Sequence, residues 1–123
     1  MKDVTQKPKK DFKRRLYEFT LKLIEFIDKL PKDHTSRRLG DQLLRSGTSV
    51  IGNFVEGKSA SSRRDYINYF TISLKSANET KLWLSLLKDS KRTRSDEVEV
   101  LLREMNEISK ILASSILTLK KRK

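Results

Sequence analysis

The chain has 123 residues, enough for one domain with a modest hydrophobic core, and its 36% apolar and 36% charged residues are typical of long, half-exposed helices. The absence of cysteine excludes disulfides, thiolate metal sites and a cysteine nucleophile, and no apolar run approaches the roughly 18–20 residues that span a bilayer. Only four glycines and two prolines are present, few for an all-β chain, so we predict an all-α protein.

The net charge of +12 comes from 28 lysines and arginines against 16 aspartates and glutamates. Such a surplus favours polyanionic partners, which include nucleic acid, an anionic membrane and an acidic protein. The alternative is that the charge only keeps the protein in solution. Because no apolar segment follows the charged first residues, we predict no secretory signal and a cytoplasmic location.

Residues 1–10 contain several lysines and little to bury, and we predict that they form a flexible basic arm. A four-helix domain is then expected over residues 11–123. Its first helix should begin near Asp11, an acceptable N-cap, and end before Pro31. Apolar residues at spacings of three and four predict one buried stripe along it: Phe12, Leu16, Phe19, Leu23, Phe26 or Ile27, and Leu30.

A second helix is predicted over residues 36–56, with Leu39, Leu43, Val50 and Phe54 along one stripe. Gly47 and Gly52 lie inside it, at a cost of about 1 kcal/mol each relative to alanine, which a helix accepts where another backbone comes close. Gly57 suits the left-handed conformation that ends a helix.

The third helix is predicted from a Ser62 cap to about residue 88. Its main seam is Tyr66, Phe70, Ala77, Leu84 and Leu87, with Ser73 and Thr80 as polar members. A second stripe, which predicts a subunit interface, contains Tyr69, Ile72, Ser76, Glu79 and Trp83. The fourth helix should begin at Ser95, with these residues on its inner face: Val98, Leu101, Leu102, Met105, Ile108, Leu112 and Leu119. Four such helices with short turns predict an antiparallel up-down-up-down bundle.

No catalytic, cofactor-binding or metal-binding residue is predicted. The lone histidine, His34, lies in a predicted loop, so a di-metal bundle site cannot be assembled. A Ser-His-Asp triad would depend on His34, with nothing local to support it, and no P-loop or G-x-G-x-x-G is present. Glu56 and Glu79 are carboxylates in otherwise packed stretches. They could form an acid–base pair. The favoured interpretation is that they bond Arg45, Asn53, Thr80 or a neighbouring turn and hold helices two and three in register.

Basic residues cluster at four places, which we predict as nucleic-acid contacts. They are Lys13, Arg14 and Arg15; Arg37 and Arg38; Arg63 and Arg64; and Lys91, Arg92 and Arg94. In an antiparallel bundle these clusters divide between the two ends, and neither end is favoured. Aromatic residues do not interleave with them, so phosphate contact and shape are expected to dominate over base recognition.

Three segments in order resemble a known family. They are QLLRSGTSVIGNFVEG at residues 42–57, a serine-rich turn followed by Asp65 and Tyr66, and SANETKLWLSLL at residues 76–87. Together they look like the bacterial four-helix-bundle family of 23S ribosomal RNA intervening-sequence proteins, and the likeness covers nearly the full length. It is most specific at Arg45, Ser46, Ser49, Asn53, Glu56, Gly57, Glu79, Thr80 and Trp83. Ser76 departs from the pattern, because many relatives have a glutamate there in K-E-x-x-E-T.

The resemblance implies an up-down bundle that assembles as a ring-like homopentamer. The chain is also similar to the accessory protein of diversity-generating retroelements, which partners a reverse transcriptase and binds nucleic acid. We assign packing and assembly roles to these residues: Arg45, Ser49, Asn53, Glu56, Gly57, Glu79 and Trp83.

We therefore expect a non-enzymatic homo-oligomer that binds structured RNA or DNA and no membrane. One alternative is a protein-interaction scaffold, such as a reverse-transcriptase accessory protein. Another is an enzyme that uses Glu56 and Glu79.

Overall fold

The computed structural model describes residues 6–121, with side chains from Phe12 onward. This part of the chain forms four helices: α1 (Gln6–Asp28), α2 (His34–Lys58), α3 (Arg63–Asp89) and α4 (Ser95–Lys121). Connections of four or five residues make consecutive helices antiparallel neighbours, and α4 returns to α1. The predicted all-α four-helix bundle is confirmed.

The helix α1 begins at Gln6 rather than near Asp11, so residues 6–10 of the predicted arm are helical. Pro8 is compatible with this start, because the first N–H groups of a helix have no intrahelical partner and a proline there removes no hydrogen bond. Residues 1–5 of the predicted flexible arm lie outside the described part of the chain. The helix α2 also begins earlier, because the Asp33 carboxylate accepts a hydrogen bond from the Ser36 N–H at 3.1 Å and caps it.

The prediction that Gly57 ends α2 in a left-handed conformation is wrong. Gly57 is helical and buried, and the helix continues to Lys58 with Ser59 as its C-terminal cap. A Cβ at position 57 would lie 2.8 Å from Phe70 Cδ1 and 3.1 Å from Tyr69 Cβ. The glycine is therefore required by the close approach of α3 rather than by a turn.

The two glycines inside α2 differ in their surroundings. A Cβ at Gly47 would lie 2.2 Å from Cδ2 of the buried Leu23. The glycine therefore allows α1 to pack closely against α2, as the sequence predicted. A Cβ at Gly52 would meet nothing within 4 Å. The close approach predicted at Gly52 does not occur within one chain.

The core follows the predicted stripes closely. All the predicted positions of α1 are buried, with Phe26 rather than Ile27 as the inward residue. The main seam of α3 is buried from Phe70 to Leu87, including its polar members Ser73 and Thr80. In α4 the sequence missed Ile116, which is buried, whereas Leu119 is only partly buried.

The four seams between neighbouring helices are not equal. The α2–α3 seam is the most extensive and the α1–α4 seam the least. The latter is bridged by Arg15, which donates to both oxygens of the Glu104 carboxylate, at 2.7 and 3.0 Å. A bidentate arginine fixes geometry more firmly than a single hydrogen bond, so this pair aligns α1 with α4. Within residues 6–121 no helix is both long and apolar enough to cross a bilayer.

Alanine substitutions at Gly57 and Gly52 should have opposite effects on the free energy of unfolding. Gly57→Ala forces a methyl group against the Phe70 ring and should destabilise the fold by about 1–3 kcal/mol. Gly52→Ala enters open space and should stabilise it by up to about 1 kcal/mol, because alanine is the better helix former. Urea denaturation measures both changes. Equal destabilisation by the two variants would contradict the close approach at Gly57.

Candidate nucleic-acid interface

The predicted basic residues lie at two opposite ends of the bundle. We call the terminal end the one formed by the start of α1, the turn between α2 and α3 and the last turns of α4. The loop end is formed by the connections α1–α2 and α3–α4. Lys13, Arg14, Arg15, Arg63 and Arg64 lie at the terminal end; Arg37, Arg38, Lys91, Arg92 and Arg94 lie at the loop end. The structure therefore does not unite the ten residues in one patch.

Carboxylates of the loop end pair with several of its cations. Arg92 Nε lies 3.8 Å from Asp33 Oδ2, and Arg94 Nη2 lies 3.1 Å from Asp96 Oδ2. Asp33 also caps α2. The pKa of its carboxyl is lowered by Ser36, mainly through the serine side chain and to a lesser extent through the serine backbone N–H. The arginines that the sequence predicted as phosphate contacts in this loop are thus held by carboxylates of their own chain.

Hydrogen bonds across the α3–α4 connection shift further pKa values. Lys88 forms an ion pair with Glu99; the bond lowers the pKa of the glutamate and raises that of the lysine. A hydrogen bond from Arg94 likewise lowers the pKa of Asp96. These carboxylates remain ionised at neutral pH and offset the positive charge beside them.

Ion pairs are also found at the terminal end. Arg15 is bound to Glu104, and Arg14 Nε lies 3.5 Å from Glu18 Oε2 on an exposed surface, where such a pair contributes little. Lys13 and Arg64 are exposed and form no ion pair with any residue from Phe12 to Lys121.

Between Phe12 and Lys121, three cations of the terminal end were missing from the predicted contacts. Lys58 ends α2, where its ammonium lies 5.7 Å from the centre of the Tyr66 ring, and Lys120 and Lys121 end α4. All three are exposed. The signal that could have found them is their place in the last turn of a helix, where the dipole favours positive charge.

The small polar residues of the family-like segments form a ladder of hydrogen bonds between α2 and α3. Its rungs are the hydroxyl pairs Ser46–Thr80 at 2.9 Å and Ser49–Ser76 at 2.7 Å, and the bond from the Ser73 hydroxyl to the Val50 carbonyl oxygen at 2.7 Å.

The amide nitrogen of Asn53 extends this ladder along α2. It donates to the Ser49 hydroxyl and to the Ser49 carbonyl oxygen, both at 2.9 Å. Ser49 and Asn53 therefore act in packing within the chain.

The expected bonds of Glu56 and Glu79 to Arg45, Asn53 or Thr80 are not formed. Both carboxylates are exposed and accept no hydrogen bond from a residue between Phe12 and Lys121. The helices are held in register by uncharged hydroxyls instead, which can be buried at far lower cost than carboxylates.

The arrangement also separates the two carboxylates of the hypothetical acid–base pair. Gly57, next to Glu56, packs against Phe70, so the level of Glu56 on the bundle is about nine residues, or about 13 Å, from that of Glu79. Within one chain they cannot act on the same bond. No group of three or more histidine, aspartate or glutamate side chains between Phe12 and Lys121 is placed to hold a metal ion.

The other two motif residues lie at the surface of the ladder. Arg45 is exposed, whereas Trp83 is partly buried and packs against the hydrophobic core. Trp83 thus contributes to packing within the chain.

The family model of the 23S rRNA-intervening sequence protein matches residues 9–114. The chain belongs to this family. A solved structure supports the assignment: a protein of unknown function from the S23 ribosomal protein family of Bacteroides thetaiotaomicron VPI-5482 has 36% sequence identity and a TM-score of 0.80. The match covers 85% of this chain and 96% of that one. No curated protein matches the chain.

Glu99→Gln should make the fold less sensitive to acid. Because the folded-state pKa of Glu99 is lowered, its pair with Lys88 stabilises the fold above the unfolded pKa, about 4.3 for glutamate, and this stability is lost as the pH falls through the folded value. The loss of unfolding free energy between neutral pH and about pH 3 should be smaller in the variant than in the native protein. Urea midpoints at the two pH values measure it.

Glu25→Gln is the control, since it removes an exposed loop-end carboxylate that forms no ion pair with a residue between Phe12 and Lys121. An equal reduction of acid sensitivity in both variants would contradict a specific role of the Lys88–Glu99 pair.

Proposed function

We propose that this family member is a non-enzymatic homo-oligomer that binds structured RNA through its phosphates. The observation that supports it is the positive charge that remains on the surface after folding. Most lysine and arginine side chains between Phe12 and Lys121 form no ion pair, and nearly all are exposed. Unpaired cations on a surface attract polyanions and release their counterions on contact.

Whether the protein contacts the phosphates or the bases of an RNA depends on whether aromatic side chains are exposed together with the cations. Reading bases in a single strand requires exposed aromatic rings, and between Phe12 and Lys121 the exposed large apolar residues include one such ring, Tyr17. Phosphate contact is therefore the expected source of affinity. The name of the family, which refers to sequences within 23S rRNA, makes ribosomal RNA the first ligand to test.

The proposed assembly is a homopentamer, the number that the family resemblance suggests. Two apolar surfaces support self-association. The α1–α2 face has an exposed stripe of Tyr17, Leu21 and Ile24 on α1, beside exposed Leu44 and Val55 on α2. The α3 face has exposed Ile72, Leu82 and Leu86.

These surfaces point in different directions, which suits a head-to-tail contact between unlike faces. A head-to-tail contact closes into a ring when its rotation divides the circle evenly. Such a ring would carry a formal charge of +60, five times the +12 of one chain.

The native protein should bind a structured ribosomal RNA hairpin with micromolar affinity or better, and the affinity should fall steeply as salt is raised. Fluorescence anisotropy in a salt series measures this, with duplex DNA and heparin as comparisons. Equal binding to all three would contradict RNA as the ligand and leave only a basic protein. No binding near physiological salt would contradict the proposal and favour a protein-interaction scaffold with a partner such as a reverse transcriptase.

Light scattering should give a mass near 72 kDa, five times the 14.4 kDa of one chain. Leu86→Glu should lower that mass, because it places a charge on the apolar α3 face. Val100→Glu is the matched control, since Val100 is exposed on α4 outside both faces. A native mass of one chain would contradict the assembly, and dissociation by the control would contradict the choice of faces.

A further inference from the structure

We infer that the terminal end, and not the loop end, is the surface that binds nucleic acid, and that its ligand is the phosphate backbone of a double helix. The inference rests on the proposed function and adds to it the surface and the form of the ligand.

The two ends contain equal numbers of cations but very different numbers of carboxylates. The loop end, taken as residues 24–41 and 86–101, has eight lysines and arginines and eight aspartates and glutamates. The terminal end, taken as residues 12–18, 52–66 and 114–121, has eight cations and only three carboxylates, which are Glu18, Glu56 and Asp65. The loop end is formally neutral and the terminal end is strongly positive, so long-range attraction acts on the terminal end.

Ion pairs occur at both ends. At the loop end Lys88, Arg92 and Arg94 lie beside carboxylates that a phosphate would have to displace, and at the terminal end the same holds for Arg14 and Arg15. At the terminal end the cations that need no such exchange include exposed Lys58, Lys120 and Lys121, which come from two different helices. Cations on separate helices of one end can contact successive phosphates of a rigid backbone.

Within residues 12–18, 52–66 and 114–121, every aromatic ring except that of Tyr17 is buried or partly buried. The exposed Tyr17 ring lies on the α1–α2 face that we propose for self-association. Phe12 packs edge-on against Phe54 with ring centres 5.1 Å apart, and Phe54 packs against Phe70 at 5.2 Å. All three rings are buried, and the partly buried Tyr66 contacts Phe70 on one side and Lys58 on the other.

This leaves the terminal end with charge but without a stacking platform for unpaired bases. A surface of that kind gains most from the ligand with the highest density of phosphates. A double helix, with one charge per about 1.7 Å, releases more counterions per contact than a single strand.

The test compares two double variants that remove the same charge from opposite ends. Lys58→Gln with Arg64→Gln changes the terminal end, and Arg37→Gln with Arg38→Gln changes the loop end; all four side chains are exposed. Binding is measured in a salt series to a short duplex RNA, the duplex DNA of the same sequence, and one of the RNA strands alone. Circular dichroism confirms that each variant keeps its helices.

The terminal-end variant should bind duplex RNA about tenfold or more weakly, with a salt slope reduced by about two, because about two phosphate contacts are lost. The loop-end variant should stay within about twofold of the native protein, a change that corresponds to the loss of less than one contact. The native protein should bind both duplexes more tightly than the single strand.

Each part can fail separately. If the native protein binds none of the three ligands, the proposed function itself is wrong. If it binds but the loop-end variant loses as much affinity as the terminal-end variant, the function stands and the assignment of the surface is overturned. If the single strand binds as tightly as the duplexes, the double helix is overturned as the ligand.

Discussion

The rest of the bundle depends on the contact between α2 and α3. Gly57 lets the ring of Phe70 approach the α2 backbone, and the hydroxyl pair Ser46–Thr80 lies more than two turns farther along the same seam. A buried hydroxyl without a partner costs about 1–3 kcal/mol, so sliding one helix along the other would lose several bonds at once and drive Phe70 into a residue larger than glycine. Close approach and hydrogen bonding therefore select the same register.

The register of α2 and α3 also determines where α1 and α4 pack. Once α2 and α3 are aligned, Phe54 meets Phe70, and Phe12 of α1 packs on Phe54. Leu23 then fits over Gly47 farther along the same helix pair. The α1–α4 seam is the least extensive of the four, and the Arg15–Glu104 pair provides its polar link. Packing thus weakens from the family-like segments outward, which agrees with the placement of the most specific residues on α2 and α3.

Periodicity was enough to predict the helices and most of the core, because an inward stripe at spacings of three and four depends only on the local chain. Gly57 could not be interpreted in this way, since a glycine near a helix end suits a left-handed turn and a close approach equally well. Residue spacing along one helix could not predict that Glu56 and Glu79 are exposed or that Arg92 lies beside Asp33. These features depend on how helices far apart in the sequence pack together. The net charge was evident in the sequence. Its uneven distribution between the two ends was not, because it arises where carboxylates from different helices come together at the loop end.

The helix dipoles make the charge of the terminal end harder to explain by stability. At the loop end the chain follows the usual rule: Asp33 caps α2, and Asp96 and Glu97 occupy the first turn of α4. At the terminal end Lys58 and Asp65 also obey it, whereas Arg64 lies in the first turn of α3, where the dipole is positive and a cation is unfavourable. Departures from a local rule concentrate at functional sites, so the position of Arg64 agrees with the proposed function. Under that proposal, a phosphate beside Arg64 would offset the repulsion between its guanidinium and the helix dipole.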